Sequence, residues 1–390
     1  MKKLLSLLLS FFLFLGISVN VFAENELKNG AVVQDLTPFD VESTSAILIE
    51  AGTGEILYSK NANEALPPAS VTKVMTLLLI AEGIEKGKIS LTDTVTVSEH
   101  AASMGGSQVF LKEGEKMSLE ELLKCTVIAS ANDAAVALAE HLCGSESNFV
   151  SEMNRRALEL GMKNTVFENV TGLDDTTLKH LTSAYDIAIM SSALIKYDFI
   201  TKYSSLWQDS IRNGEFTLTN TNRLVRYYDG CNGLKTGSTA KAGYCISASA
   251  KRGDMQLIAV VMNASTRDER NKIARELLDY GFANYSIYHK SGELVERVPV
   301  YFGKQDDVEI YTDDFYALIS KGSESKIEAI YEIPEYIVAP LKSGDVVGKV
   351  QYKIGDEIIG DSDIFVKEDI DRLGFFNICL KILKSIVGVS

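Results

Sequence analysis

The distribution of apolar runs and glycine-rich turns predicts one sheet assembled from the two ends of the first 285 residues. Near the start, apolar runs at 45–50 and 55–58 flank the turn Ala51-Gly52-Thr53-Gly54, which predicts a hairpin. After a long intervening segment, runs at 230–235, 243–250 and 256–262 predict three further strands, and residues 272–280 predict a closing helix. We therefore expect sheet edges before and after a helical middle.

The middle of the chain has helical patterns. Residues 74–80 are apolar almost all round, which predicts a buried helix, and Pro67-Pro68 mark an irregular loop before it because proline does not fit a helix interior. Ser118 and Glu121 match a capping box that begins a helix ending near residue 127. A break follows at 129–132, and further helices are predicted at 133–141 and 182–194.

The pattern changes after about residue 285. Short runs of alternating, aromatic or β-branched residues are separated by turns such as Lys342-Ser343-Gly344-Asp345. We interpret residues 290–367 as a small all-β domain that carries no catalytic constellation. The predicted strands in it are at 294–301, 308–311, 315–319, 327–333, 346–352 and 357–359.

Both ends of the chain have the character of membrane-directed segments. Residues 1–23 combine two lysines, an apolar core and a final Ala23, which predicts a secretory signal peptide, with an uncleaved anchor as the alternative. On a helix, residues 370–390 place their lysines on one narrow polar side, which favours a helix lying on a membrane surface over one packed on the β domain. We expect an exported protein at the outer face of the cytoplasmic membrane.

Composition excludes several function classes. The 390 residues have a formal net charge of −14, which argues against a nucleic-acid partner because phosphates require basic patches. The four histidines and five cysteines show no metal-ligand spacing, so we expect neither a metal nor a cofactor. Cys231 and Cys245 flank the strand near Lys235, and their pairing across a hairpin stays open.

Three short motifs carry the candidate chemistry: S-V-T-K at 70–73, S-A-N at 130–132 and K-T-G at 235–237. A serine hydroxyl needs a base within hydrogen-bond reach, and Lys73 follows Ser70 by one helical turn. To accept a proton near neutral pH, Lys73 needs a lowered pKa, which burial and the second cation of Lys235 would both produce. Ser70 is thus the candidate nucleophile, Lys73 the candidate base and Ser130 a relay for the proton of the leaving amine.

The remaining motif residues predict recognition of an amide next to a free carboxylate. The backbone amides of Ser70 and Ser238 could stabilise an oxyanion, and Gly237 permits close approach of a substrate backbone. Asn132 offers a carbonyl and an amide to the substrate. Lys235 and Thr236 suit a carboxylate, as a point charge and a hydroxyl donor.

In motifs, order and overall layout the chain resembles the low-molecular-mass penicillin-binding proteins that act as D-alanyl-D-alanine carboxypeptidases. The resemblance implies an α/β catalytic domain at 36–285, with a mostly antiparallel sheet flanked by helices. It implies that Ser70 is acylated, that the substrate is a peptidoglycan stem peptide ending in D-Ala-D-Ala, and that β-lactam antibiotics bind covalently. Arg270, rather than its competitor Arg267, resembles the arginine that pairs with the substrate carboxylate.

Some features depart from the family pattern or invite other interpretations. Ser238 stands where some relatives have a histidine, which leaves the role of the strand backbone intact. Glu168 invites comparison with the deacylating glutamate of class A β-lactamases, but the stretch Asn169-Val170-Thr171-Gly172-Leu173 is closer to the carboxypeptidase pattern. We interpret Glu168 and His180 as structural residues. The rival functions are a β-lactamase-like hydrolase, a peptidoglycan DD-endopeptidase and a non-catalytic wall-binding scaffold.

Overall fold

The structure is a computed structural model that describes residues 33–175, 177–379 and 383. The helices are α1 (Lys73–Glu85), α2 (Glu99–Ala102), α3 (Leu119–Ile128), α4 (Asn132–Cys143), α5 (Glu146–Glu159), α6 (Ala184–Leu194), α7 (Asp198–Ser204), α8 (Leu224–Tyr227) and α9 (Arg267–Asn284). The strands are β1 (Ser43–Glu50), β2 (Ile56–Lys60), β3 (Thr94–Thr96), β4 (Lys116–Ser118), β5 (Gln208–Ile211), β6 (Phe216–Thr219), β7 (Cys231–Thr239), β8 (Gly243–Arg252), β9 (Met255–Ala264), β10 (Tyr285–Lys290), β11 (Leu294–Tyr301), β12 (Asp307–Thr312), β13 (Phe315–Ser320), β14 (Ile327–Glu332), β15 (Ile337–Val338), β16 (Val346–Ile354) and β17 (Glu357–Val366).

Five strands form the central sheet in the order β2–β1–β9–β8–β7, with every neighbouring pair antiparallel. Successive side chains of a strand point to opposite faces, and both faces are buried in β1. Ile47 and Ile49 pack in the core shared with α1, whereas Ala46 and Leu48 pack in the core shared with α9. This double burial explains why residues 46–49 of β1 form a continuous apolar run. The predicted α/β fold, a mostly antiparallel sheet flanked by helices, is confirmed.

The helical layer surrounds α1. All of its residues except the last two are buried, as the all-round apolar pattern predicts. Helix α3 begins at the predicted capping box, in which Ser118 and Glu121 bond each other's backbone. Helix α5 was not predicted from the sequence, because it is polar on most of its surface and buries only Phe149, Met153 and Ala157, each one turn apart.

The C-terminal part has its own core and a six-stranded sheet in the order β14–β16–β17–β12–β11–β15, beside the pair β10–β13. Each predicted strand after residue 290 is present, although the last one is longer than predicted and spans Glu357–Val366. Strand β10, which the sequence analysis missed, pairs with β13. Ile370 is buried and bridges to Leu341, so packing of this part extends past the predicted limit at residue 367.

The predicted signal peptide at 1–23 lies outside the described residues, and so do residues 380–382 and 384–390 of the predicted amphipathic helix. In the part of the tail that is described, Phe375 and Phe376 are 75% and 82% exposed. Across the described ranges, no helix has the length and apolar character needed to cross a membrane. Cys231 and Cys245 are free thiols, opposite Ala250 and Gly237 rather than each other.

Candidate active site

The serine of the first motif lies in a short 3-10 turn, Ala69–Thr72, that leads directly into α1. The sequence predicted Ser70 and Lys73 in the first turn of one regular helix; instead, Lys73 is the first residue of α1 and Ser70 precedes it. Ala69 has a φ of 49°, in the left-handed region where a side chain is strained. The candidate nucleophile is therefore held in a tight, strained turn beside the buried helix.

The amine of Lys73 has three hydrogen-bond partners in a fully buried position (0% exposed). Its Nζ is 3.0 Å from Ser70 Oγ. The same atom is 2.6 Å from Asn132 Oδ1 and 2.9 Å from the carbonyl oxygen of Thr171. A neutral amine has two N–H donors and one lone pair, so donation to Asn132 and Thr171 leaves the lone pair facing the Ser70 hydroxyl. This geometry suits a base.

The surroundings of Lys73 also favour its neutral form. Burial lowers the pKa of Lys73 well below its ordinary value, and the charge of Lys235 lowers it further. The carboxylate of Asp133 acts in the opposite direction but does not offset burial. The Asp133 carboxylate accepts hydrogen bonds from the backbone amides of Val109 and Leu111. These bonds connect the loop around residue 110 to the first turn of α4, where Asp133 lies.

The second motif forms the connection between α3 and α4. Ser130 lies in the connection with a φ of 62°, and Asn132 is the first residue of α4. The Asn132 side chain accepts from Lys73 through Oδ1 and donates through Nδ2 to the carbonyl of Gly105 at 2.7 Å. Within the described part of the chain, no hydrogen bond joins Ser130 Oγ to another residue. The motif thus supplies one oriented amide and one hydroxyl without a bonding partner there.

The third motif lies on β7, the edge strand of the central sheet. Lys235 is 1% exposed, and its Nζ donates to the carbonyl of Thr236 at 3.0 Å. The Thr236 hydroxyl donates to Thr221 Oγ1 at 2.9 Å. A Cβ at Gly237 would lie 2.7 Å from the backbone nitrogen of Ser70, so this strand contacts the nucleophile turn directly. Ser238 follows as the first exposed residue of the strand.

Arg270 lies behind the third motif rather than on the surface. Helix α9 begins at Arg267, earlier than predicted, and so Arg270 belongs to its first turn. Arg270 is 3% exposed and donates to Asn271 Oδ1 and to the carbonyl of Cys245. Burial lowers the pKa of Arg270 to about 10. Burial, together with the charge of Arg270, lowers the pKa of Lys235 to about 7.

Together these groups have the arrangement that an acyl-transfer site with a cationic end would require. Burial lowers the pKa of both lysines; the charge of Lys235 adds to this effect at Lys73, and the charge of Arg270 adds to it at Lys235, whose pKa is about 7. Because the Lys73 amine contacts the Ser70 hydroxyl and the Lys235 amine bonds the carbonyl of Thr236 instead, the two amines can take the base role and the cation role, respectively. The arrangement suits attack by Ser70 on a carbonyl next to a carboxylate.

Sequence reasoning missed the backbone contribution of residues 169–173. The carbonyl of Thr171 is a partner of Lys73, and the loop is shaped by Asn169, whose Oδ1 accepts from the amides of Thr171 and Gly172. The only sequence signal was the Asn-x-x-Gly-Leu stretch, used as a family pattern. Glu168 accepts from the amides of Leu178 and Lys179, which is a structural contact.

Comparison with known proteins gives consistent matches along most of the chain. Residues 31–266 match the family described as D-alanyl-D-alanine carboxypeptidase, and residues 282–372 match the C-terminal domain of penicillin-binding protein 5. The chain is 45% identical over 382 residues to D-alanyl-D-alanine carboxypeptidase DacF of Bacillus subtilis, with 96% of each protein covered. It is 34% identical over 357 residues to D-alanyl-D-alanine carboxypeptidase DacC of Escherichia coli, covering 89% of this chain and 88% of the relative.

A solved structure extends the similarity to the fold. The crystal structure of penicillin-binding protein 5 from Haemophilus influenzae aligns with a TM-score of 0.75 at 33% identity, covering 86% of this chain and 100% of that one. The similarity therefore includes both the catalytic elements and the C-terminal β-rich part.

Proposed function

This chain belongs to the D-alanyl-D-alanine carboxypeptidase family of serine peptidases, and we propose that it removes the terminal D-alanine from peptidoglycan stem peptides through an acyl-enzyme on Ser70. The observation that carries this proposal is the 3.0 Å contact between Lys73 Nζ and Ser70 Oγ. The contact is made by a buried amine whose pKa is lowered well below its ordinary value, which favours the neutral form that can accept a proton.

In the first step, Lys73 takes the proton of Ser70 as Oγ attacks the carbonyl carbon of the penultimate D-alanine. The new O–C bond produces a tetrahedral oxyanion, which the backbone amides of Ser70 and Ser238 stabilise. The C–N bond then breaks, and Ser130 relays the proton from Lys73 to the departing nitrogen. D-Alanine leaves, and an ester on Ser70 remains.

In the second step, water attacks the ester carbonyl while Lys73 accepts a proton from the water. The C–O bond to Ser70 breaks, the serine regains its proton, and the shortened peptide leaves. A β-lactam follows the first step, with ring opening in place of loss of D-alanine. Because its amine stays attached, we expect the adduct to persist far longer than a peptide acyl group.

Recognition involves the cationic end of the site. The substrate carboxylate binds to the charged form of Lys235 and to the hydroxyl of Thr236, and the guanidinium of Arg270 adds positive potential from behind. Asn132 has one amide proton bonded to Gly105, and the other is directed to a substrate carbonyl. Gly237 and Ser238 belong to an edge strand, whose free backbone groups can pair with an extended peptide.

The decisive experiment combines mass spectrometry with an assay for D-alanine. Wild-type protein treated with labelled penicillin is expected to have one adduct on Ser70, and a peptide ending in D-Ala-D-Ala is expected to release D-alanine. Ser70→Ala should abolish both. A well-folded wild-type protein that releases no D-alanine would overturn the proposal.

Adduct lifetime, cleavage of cross-linked dimers and the cellular effect of Ser70→Ala separate the rival functions. A β-lactamase would hydrolyse penicillin rapidly, leaving no lasting adduct. A DD-endopeptidase would cleave cross-linked dimers faster than pentapeptides. A wall-binding scaffold would keep its cellular role after Ser70→Ala.

We further propose that the protein is exported and that its tail attaches it to the outer face of the cytoplasmic membrane. The exposed Phe375 and Phe376 support attachment at the start of the tail. Truncation after Leu373 is the suitable test, because the Leu373 amide still bonds the carbonyl of Phe302 in the β-rich part. Truncated protein that still floats with lipid vesicles would contradict the attachment.

A further inference from the structure

The backbone immediately before Ser70 requires support from outside its own turn. Ala69 has a φ of 49°, a left-handed conformation in which the Cβ of a residue comes too close to the backbone. Such strain persists only where the surroundings determine the conformation. The contacts of Ala69 therefore indicate what holds the nucleophile in position.

Two groups contact the carbonyl oxygen of Ala69. The hydroxyl of Thr72 donates to it at 2.8 Å. From the other side, Gly172 lies so close that a Cβ there would be 1.8 Å from the same oxygen. The Ala69 carbonyl is thus held between its own turn and the loop at 169–173.

His180 extends this contact into a directed chain of hydrogen bonds. Its Nδ1 accepts from the backbone amide of Glu168 at 3.0 Å, and its Nε2 lies 2.7 Å from Thr72 Oγ1. Because Nδ1 accepts and the single Thr72 proton goes to Ala69, Nε2 carries the imidazole proton and donates it to Thr72. Both His180 and Thr72 are buried, so water does not compete for these hydrogen bonds.

We propose that His180 is a positioning residue for the reaction, because through Thr72 it fixes the peptide plane between Ala69 and Ser70. In a planar trans peptide the carbonyl and the amide point in opposite directions. A carbonyl held by Thr72 therefore aims the Ser70 amide towards β7, where the oxyanion forms. The inference rests on the proposed function, since it assigns His180 a role in acylation of Ser70.

Two threonine variants test this chain of hydrogen bonds and leave the overall fold unchanged. Thr76 lies in α1, four residues after Thr72, and is equally buried. Its hydroxyl donates to the carbonyl of Val170 at 2.7 Å. Thr72→Val and Thr76→Val thus remove matched hydroxyls that bond backbone carbonyls in the same region. We expect penicillin acylation to slow about tenfold or more in Thr72→Val, since one lost oxyanion donor costs roughly 10²–10³-fold. Thr76→Val should stay within about twofold of wild type.

Two histidine variants separate positioning from loop anchoring. His180→Asn keeps an acceptor near the Nδ1 position but loses the donor to Thr72, whereas His180→Gln keeps a donor near the Nε2 position. We expect the acylation rate constant to fall about tenfold in His180→Asn and to be largely restored in His180→Gln. The dissociation constant of the non-covalent penicillin complex should be unchanged in both.

The outcomes distinguish this inference from the function on which it rests. Adducts on Ser70 that form at equal rates in wild type, Thr72→Val and His180→Asn overturn the positioning role alone. An adduct elsewhere than Ser70 in wild-type protein overturns both. Equal slowing in Thr72→Val and Thr76→Val shows a structural effect and likewise contradicts the inference.

Discussion

Gly237 lies against the backbone of Ser70, and a Cβ at position 237 would be only 2.7 Å from the Ser70 nitrogen and 2.8 Å from the carbonyl oxygen of Pro68. Its φ is not positive, so space rather than backbone conformation requires glycine here. The sequence analysis related Gly237 to the approach of a substrate. The structure shows that the nucleophile turn itself needs this space.

Replacement of Gly237 by alanine should therefore impair acylation. Because the clash involves backbone atoms on both sides of Ala69, the turn must shift, and a shift of about 1 Å near reacting groups can cost roughly a hundredfold in rate. We expect Gly237→Ala to slow penicillin acylation at least about tenfold. Gly374→Ala is the control, since nothing lies within 4 Å of a Cβ there. Equal rates in the two variants would contradict the steric explanation.

The two buried lysines predict a bell-shaped pH dependence of kcat/KM, which reports groups of the free enzyme. Activity needs neutral Lys73, so it is lost as the pH falls through the lowered pKa of that amine. It also needs charged Lys235, whose pKa is about 7, so kcat/KM should decline as the pH rises above about 7. In Lys235→Arg the alkaline decline should disappear, because a guanidinium stays charged. Wild-type activity that stays constant to high pH would be the contrary result.

The charge of Arg270 should set the position of that alkaline decline. Since this charge lowers the pKa of Lys235, Arg270→Gln should raise that pKa and move the decline to higher pH. Loss of the guanidinium should also reduce kcat/KM by about 10–100-fold at neutral pH, because both its positive potential and its buried hydrogen bonds to Asn271 and Cys245 are lost. Arg267→Gln is the matched control, because Arg267 is exposed and its charge acts on Arg270 instead. A decline that stays in place in Arg270→Gln would refute the coupling.

His180 should make the fold sensitive to mild acid. Burial lowers its pKa to about 4, although the Glu168 and Asp174 carboxylates act to raise it. Between the unfolded value of about 6.5 and the folded value, only the unfolded chain binds the proton, so stability is lost as the pH falls. The loss between pH 7 and about pH 4 is on the order of 3 kcal/mol. Urea unfolding of wild type and His180→Gln at both pH values measures it, and an equal pH dependence in the two proteins would be inconsistent with this assignment.

The juxtaposition of the candidate catalytic groups was predictable where residue type and spacing carry the signal. Lys73 follows Ser70 by three residues, and this spacing alone places both on one side of a turn. The acceptor Thr171 was not predictable, because it acts through a backbone carbonyl that every residue possesses. The same holds for the space occupied by Gly237, since steric contact between distant segments leaves no local pattern.

The fold was predictable where burial is periodic or continuous. Strands β1 and β9 are largely apolar on both faces, and α1 is apolar all round, so each stands out from the sequence. Helix α5 buries only a narrow stripe, and β10 consists of half-buried residues of mixed character. Such elements depend on their neighbours for stability, and a single sequence gives them little signal.

The interior position of Lys73 and Lys235 has a consequence for the evolution of this protein. An amine withdrawn from water favours the unfolded chain at every pH where water would protonate it. Selection for thermal stability alone would therefore replace both lysines and give a stable but inactive protein. Stability and activity therefore make opposite demands on these two positions.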